Sequence, residues 1–194
     1  GSGEVGKSLD FIMVNPTTGS FRKYGNDEIM NPRGLTFGVE HFWVNDFSLL
    51  KIYKFDLRGN SIQILDSFDI PEKNAGGTAG LTTDGNFLYL RGRDGSKLYK
   101  LDKHGNLLGE LQFATQEIIQ GALVWTGNYF WTAGGCTKGL CKWTRDLKLA
   151  GEIYPPAKDT WALAWDGKYL WSIQRTCEMW NDAKIYKIEI LNDT

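Results

Sequence analysis

The sequence is poor in the residues that most enzymes lean on. It has only 2 histidines and 3 cysteines. Neither type clusters with carboxylates at ligand spacing, so a transition-metal centre is not expected. His41 and His104 each stand beside a turn, where a solvated surface role is expected, and neither is placed for Ser/His/Asp catalysis. There is no excess of positive charge, with 22 Lys and Arg against 23 Asp and Glu. A nucleic-acid binder must displace phosphate counterions and usually shows a basic stripe, so nucleic acid is not an expected partner. No apolar run approaches the ~18 residues needed to cross a bilayer as a helix. Long stretches with a 3.6-residue apolar period are also missing. No glycine-rich loop opens a helix, which leaves phosphate cradling without an element to use. Calcium stays open on composition, because it needs only carboxylates and carbonyls, but no DxDxDG-like run supports it.

What is abundant is glycine and aromatic side chains: 23 Gly, 8 Trp, 8 Tyr and 10 Phe in 194 residues. This mixture favours short strands joined by tight turns. The strands come as a repeat. "GLTFGVEHFWVNDFS", "GLTTDGNFLYLRGRD", "GALVWTGNYFWTAGG" and "WALAWDGKYLWSIQR" align on Leu35, Leu81, Leu123 and Leu163, at spacings of 46, 42 and 40 residues. Phe42, Leu88, Phe130 and Leu170 share one column, and Trp43, Tyr89, Trp131 and Trp171 share the next. Between each pair of strands lies a turn with glycine at Gly85, Gly127 or Gly167, as positive φ requires. The first copy departs from this with Gly38-Val39-Glu40. Each unit continues with a third strand ("KIYKFDLRGN", "KLYKLDKHGN", "LCKWTRDLKL", "KIYKIEILND"), and three units add a fourth. A period near 40 residues with four strands per unit is the signature of a propeller blade.

On these residues the chain resembles the broad superfamily of β-propellers with NHL, YVTN and quinoprotein-like blades, and loosely the glutaminyl cyclotransferase type. The likeness runs from Asp10 to about Leu191. It implies an all-β fold of four-stranded antiparallel blades, akin to WD40 or NHL blades, in a single domain over 10–194. Residues 1–9 read as a disordered or appended N-terminus. "DFIMVNPTTGSF" matches a third strand and its turn, and "SFRKYGND" a fourth. The chain therefore enters inside a blade, runs through three full blades and ends after three strands of another, seventeen strands in all. Four blades closed by an N-terminal strand is the preferred arrangement. Five blades with one abbreviated is the alternative, and a fragment that closes only as an oligomer is a third. Oligomerisation through the N-terminal strand is a related expectation.

Antiparallel order puts short turns on one face of the ring and longer loops on the other, and loops that break a repeat are where function concentrates. Candidate binding residues on that long-loop face are Arg33, Arg91, Arg93, Gln120, Trp161, Arg175 and Trp180. Arginine offers a planar fork for carboxylate or phosphate. Trp161 and Trp180 have no counterparts in the repeat, and an indole offers a flat surface and one N–H donor. Cys136 and Cys177 lie in equivalent loops of adjacent blades and form the expected disulfide. Cys136 with Cys141 is the competing pair; Cys141 aligns with Ile52, Leu98 and Ile185, an apolar column, so a buried free thiol is its plain reading, and Trp143 falls where the other copies have lysine. A bridge favours an oxidising compartment, so an extracellular or periplasmic location is preferred over the cytoplasm. The expected function is a non-catalytic binding module that presents the long-loop face to a protein, peptide or glycan, with no cofactor and no membrane span. The alternative is a small cyclotransferase- or lyase-like enzyme using loop carboxylates, with Glu117, Asp159 and Glu178 as candidates. The cyclotransferase resemblance at the site is confined to Gln120-Gly121.

Overall fold

A computed structural model of the chain describes residues 9–15, 17–38, 40–71, 80–117, 119, 121–155, 159–175 and 183–190. Gln120, Cys177, Glu178 and Trp180 lie outside the described residues, as do the side chains of Asp159 and Arg175.

The protein is an all-β propeller of four antiparallel blades set in a ring. An N-terminal hairpin, β1 (Leu9–Val14) and β2 (Phe21–Asn26), precedes the first blade. Blade one is β3 (Pro32–Gly38), β4 (His41–Asp46), β5 (Lys51–Arg58) and β6 (Ser61–Asp69). Blade two is β7 (Leu81–Thr83), β8 (Leu88–Arg91), β9 (Lys97–Leu101) and β10 (Leu107–Gln112). Blade three is β11 (Leu123–Trp125), β12 (Phe130–Ala133), β13 (Leu140–Trp143) and β14 (Leu149–Ile153). Blade four has three described strands, β15 (Asp159–Trp165), β16 (Tyr169–Arg175) and β17 (Ala183–Glu189). The inner strands stand side by side in the order β3, β7, β11, β15.

Because side chains alternate across a strand, each blade has a leading face toward the next blade and a trailing face toward the one before. Both are apolar, as a blade sandwiched in a ring requires. Trp43 and Ile52 on the leading face of blade one pack with Leu81, Leu88, Leu90, Tyr99 and Leu101 of blade two. Tyr89 and Leu98 then lead into Leu123, Phe130 and Trp143 of blade three. Val124, Trp131 and Leu140 lead into Leu163, Leu170 and Ile188 of blade four. Fully burying an aliphatic side chain contributes about 1.5–3 kcal/mol, so each seam is held chiefly by these columns.

The inner strands approach closely near the axis, and the sequence answers with small residues. A Cβ on Gly34 would lie 2.6 Å from Asn45 Oδ1 and 2.8 Å from the backbone N of Leu81 in the next blade. On the opposite rim, Gly85, Gly127 and Gly167 take φ of 91°, 95° and 96° in the hairpin turns, as their position in the repeat predicts.

Three expectations need correction. The N-terminal strand does not complete the last blade. β1 and β2 pair with each other over a local turn, and β2 then meets the outer strand of blade one in a single parallel bridge, Gly25 to Ser61. A hairpin closed by a short turn pays little loop entropy. Its Phe11 and Tyr24 gain cover on Phe55 and Ile62, with Phe11 and Phe55 in edge contact at 5.0 Å. Second, the third strand of blade three is shifted by one residue from the expected alignment. Leu140, not Cys141, is the equivalent of Ile52 and Leu98, because Leu140 faces Ala133 as Ile52 faces Asn45 and Leu98 faces Arg91. Lys142, not Trp143, then joins the column of Lys54, Lys100 and Lys187, each opposite the aromatic of the second strand. Third, Cys136 pairs with Cys141 (Sγ–Sγ 2.07 Å), not with Cys177. The shift turns Cys141 to the trailing face beside its own loop, and only five residues separate it from Cys136. Cys141 is fully buried, as expected of it, but oxidised instead of free.

Candidate functional site

The short-turn face is built for rigidity. In blade two, Asp84 Oδ1 accepts the N–H groups of Asn86 and Phe87, and Oδ2 accepts the Tyr89 hydroxyl at 2.9 Å. In blade four, Asp166 Oδ1 accepts from Lys168 and Tyr169, and Oδ2 accepts Trp171 Nε1 at 2.7 Å. Blade one uses a backbone acceptor, Gly38 O, for Trp43 Nε1. Thus in blades one, two and four the aromatic of the second strand is tied to the turn of its own blade. Burial pushes the Asp84 carboxyl up, but the Asn86 and Phe87 amides, the Tyr89 hydroxyl and Arg145 outweigh it and hold it below its ordinary value. The same burial, with the Asp84 carboxylate, pushes Tyr89 up to about 12. His41, expected to be solvated, instead sits 2.8 Å from Asp56 through Nδ1. His104 is exposed.

The long-loop face is organised by one buried carboxylate. Asp46, at the end of β4, is fully buried and takes four backbone amides. Oδ2 accepts from Met30 and Asn31 before β3, at 2.6 and 2.8 Å. Oδ1 accepts from Ser48 and Leu49 after β4, both at 2.8 Å. Two adjacent loops are thereby locked together, and Phe47 is held out between them under the Arg33 guanidinium at 5.2 Å. Three more loops contribute at blades two to four. Gly92, Arg93, Asp94, Gly95 and Ser96 turn back to β9, with Asp94 Oδ1 accepting the Ser96 amide. The Cys136–Cys141 bridge braces the β12–β13 loop. Lys138, in that loop, holds its ammonium over the Tyr154 ring at 5.7 Å.

The arginines divide. Arg91 is buried, and one of its guanidinium nitrogens donates to Ile119 O at 2.6 Å and Gly92 O at 3.3 Å. Burial lowers its pKa to about 10 against the opposing pull of Asp94. Its fork is turned into the protein, where it ties blade two to the segment leading into blade three. Arg33, near the start of β3, and Arg93, on the loop after β8, are exposed. Arg175 lies on β16, where only its backbone is described. Trp161 lies within β15 at the irregularity between Thr160 and Ala162, and its side chain is 49% exposed. Tyr154, 73% exposed, stands on the loop before that strand. Trp161, Tyr154 and Phe47 therefore form an aromatic presence on the long-loop face, with Arg33 and Lys138 beside two of them. Sequence reading singled out Trp161 because the repeat has no counterpart for it, and Arg33 because a guanidinium on the long-loop face offers a planar fork. It passed over Asp46, whose loop-locking role needs the fold, and Tyr154, whose signal was an aromatic in a Pro-rich inter-blade loop.

An open cleft of about 350 Å³ lies elsewhere, between the outer edges of blades three and four. Trp131, Lys142, Glu152, Ile153, Glu189 and Ile190 line it. It opens beside β14, next to a fourth blade of three described strands. Among the described residues, no group of three or more His, Cys, Asp or Glu is placed to hold a metal ion. No described helix is long and apolar enough to cross a membrane.

Comparison with known proteins bears on this fold. No protein-family model and no curated protein matches the chain. Solved structures do. A glutaminyl cyclase from Myxococcus xanthus superposes with a TM-score of 0.64 at 14% identity, over 94% of this chain and 72% of the cyclase. Virginiamycin B lyase from Staphylococcus aureus gives 0.55 at 19% identity, over 94% of this chain and 59% of the lyase. A streptogramin B lyase gives 0.55 at 16%, over 97% of this chain and 64% of that enzyme. The fold these structures share with the chain is the β-propeller. At these identities the likeness is one of fold, and folds of this class host binders and enzymes alike.

Proposed function

We propose that the protein is a non-catalytic binding module whose long-loop face holds a protein, peptide or glycan partner. The observation that carries this reading is the set of exposed rings on that face, Phe47 on the loop locked by Asp46, Tyr154 on the loop before β15 and Trp161 within β15, beside a β12–β13 loop braced by the Cys136–Cys141 bridge. Rigid aromatic surfaces bury large areas at low entropic cost, and cations beside them favour polar or acidic groups at the rim. The bridge also fits an exported protein that works in an oxidising compartment. The enzyme alternative draws on the cyclase and the lyases that share the fold. Of its candidate carboxylates, Glu117 is solvent-exposed, while catalysis favours an enclosed carboxyl with a raised pKa.

A thermal-shift screen against oligosaccharides and short peptides tests the proposal. A ligand of the folded state stabilises by about 2.7 kcal/mol at a hundredfold excess over its Kd. A shift lost in both Trp161→Ala and Tyr154→Ala supports the reading. Shifts that persist in both variants, or turnover of a ligand by the wild type, count against it.

A further inference from the structure

On the long-loop face, blade one departs from blade two in one short loop. Phe47, Ser48, Leu49 and Leu50 join its second and third strands. Blade two makes the same connection with Arg93, Asp94, Gly95 and Ser96, since Asn45 faces Ile52 as Arg91 faces Leu98. A blade can therefore close this loop with charged and small residues, and its packing does not call for a ring or an aliphatic chain there. Blade one nonetheless exposes Phe47 (38%) and Leu49 (43%), and the adjoining segment before β3 exposes Met30 (57%).

These three side chains stand on a fixed base. Besides the four amides on Asp46, the Phe47 amide donates to Asn31 O at 2.9 Å, and Asn31 Nδ2 donates to Ser48 Oγ at 3.2 Å. Asn26 Oδ1 accepts the amides of Glu28 and Ile29, and Ile29 is buried directly before the exposed Met30. Leu50 takes φ of 54°, a left-handed conformation that disfavours leucine, and its carbonyl accepts the Ile70 amide. Strain kept in a surface loop that turns apolar side chains outward points to a site for a partner. One charge stands in the patch. The Arg33 guanidinium lies 5.2 Å from the centre of the Phe47 ring. Among the described residues no carboxylate is within ion-pair distance of it, and Lys51 nearby is already matched to Asp69. A guanidinium held over a ring keeps N–H donors for a planar carboxylate.

We infer that this patch takes a peptide segment in which an aspartate or glutamate adjoins an aliphatic or aromatic side chain. The inference rests on the reading of the long-loop face as a binding face, and it names the chemistry of the partner at one part of that face. Arg33 takes the carboxylate, while Phe47, Leu49 and Met30 cover the apolar side chain beside it. Methionine, with its rotatable bonds and polarisable sulfur, adapts to apolar groups of varied shape. A sugar ring fits less well, because it stacks on a bare aromatic face, and Phe47 carries Arg33 and stands among aliphatic chains. Since both loops are already ordered, binding costs little further freedom.

The test selects a random peptide library displayed on phage against the wild type and against Arg33→Glu, with an oligosaccharide array run alongside. Peptides recovered on the wild type are synthesised and titrated by fluorescence anisotropy into wild type, Arg33→Glu, Phe47→Ser and Trp161→Ala. The substituted side chains are all exposed, and circular dichroism checks each fold. The wild type is expected to enrich peptides with an acidic residue beside an apolar one. Arg33→Glu and Phe47→Ser should each weaken them by about tenfold or more, as removal of an anchor does. Selection on Arg33→Glu should turn to lysine and arginine in place of the acids. No enrichment on the wild type, glycan binding alone, or peptides without an acidic preference overturns the inference. So does affinity that survives both Arg33→Glu and Phe47→Ser; if Trp161→Ala then abolishes it, the broader reading of the face stands without this patch. Affinity lost in the two patch variants but untouched in Trp161→Ala upholds the patch and counts against the wider aromatic face.

Discussion

Asp46→Asn is the sharpest perturbation of the loop scaffold. The substitution keeps the size of the side chain but replaces one oxygen with an NH2 group that accepts nothing. Whichever way the amide turns, one pair of backbone donors loses its acceptor, either Met30 and Asn31 or Ser48 and Leu49. A hydrogen bond to a charged group contributes about 1.5–3 kcal/mol, and the site is fully buried, so water does not replace the lost partner easily. Allowing for non-additivity between neighbouring bonds, the cost is about 3–5 kcal/mol, a large share of the ~5–15 kcal/mol by which a domain is stable. For a chain of this size each kcal/mol moves Tm by about 2–4 °C, so the midpoint should fall by about 10 °C. Urea denaturation followed by fluorescence of the eight tryptophans measures the loss. Hydrogen exchange at the four amides localises it. A loss below ~1 kcal/mol with those amides still protected would refute the account of how this face is held.

Other predictions follow from the same geometry. Blade three has Thr126 where blades two and four have Asp84 and Asp166, and Trp131 Nε1 is buried with no hydrogen-bond partner. Thr126→Asp should supply that acceptor and raise stability by ~1 kcal/mol, read as a higher urea midpoint with an unchanged slope. The depressed pKa of Asp84 means that its ionised form favours the fold, so this stability is present above the ordinary carboxyl value near 4 and is lost as pH falls through the lowered one. Acid titration of Asp84→Asn should show a shallower loss over that window. The raised Tyr89 works in the opposite sense: its contribution is complete below pH 10 and disappears as pH climbs toward about 12, and Tyr89→Phe should remove that alkaline limb. Reduction of Cys136–Cys141 should cost ~2 kcal/mol, the modest value expected for so short a loop. A thiol count on the unreduced, denatured chain should find one reactive cysteine, and three would remove the bridge.

The blades were readable in the sequence because propeller packing writes itself locally. Glycine turns and an aromatic at a fixed place in the second strand recur with little noise, and in blades one to three a lysine follows eleven residues later. The one-residue misalignment at Leu140 and Cys141 arose where a longer, disulfide-braced loop breaks the motif; the distance from Trp131 to Lys142, equal to that from Trp43 to Lys54, was the signal that resolves it. The fate of the N-terminal strands was harder to read, since a hairpin that could complete one blade can equally lie on another, and the choice is made by contacts such as Phe11 on Phe55. The site was partly legible. Trp161 stands out because nothing in the repeat explains it, whereas Arg33 and Arg91 both read as ligand forks, and the Ile119 carbonyl occupies that of Arg91. Sequence position gives the loop on which a side chain sits but not whether it turns inward.

The claim that the long-loop face is the binding face is tested most directly by fluorine NMR of protein labelled with 5-fluorotryptophan. Trp161→Phe assigns the Trp161 resonance, and the labelled protein is titrated with pools of oligosaccharides and peptides. The account predicts that Trp161 shifts on binding while the buried Trp43 and Trp143 stay in place. A bound ligand that moves the buried indoles, or leaves Trp161 untouched, would contradict it.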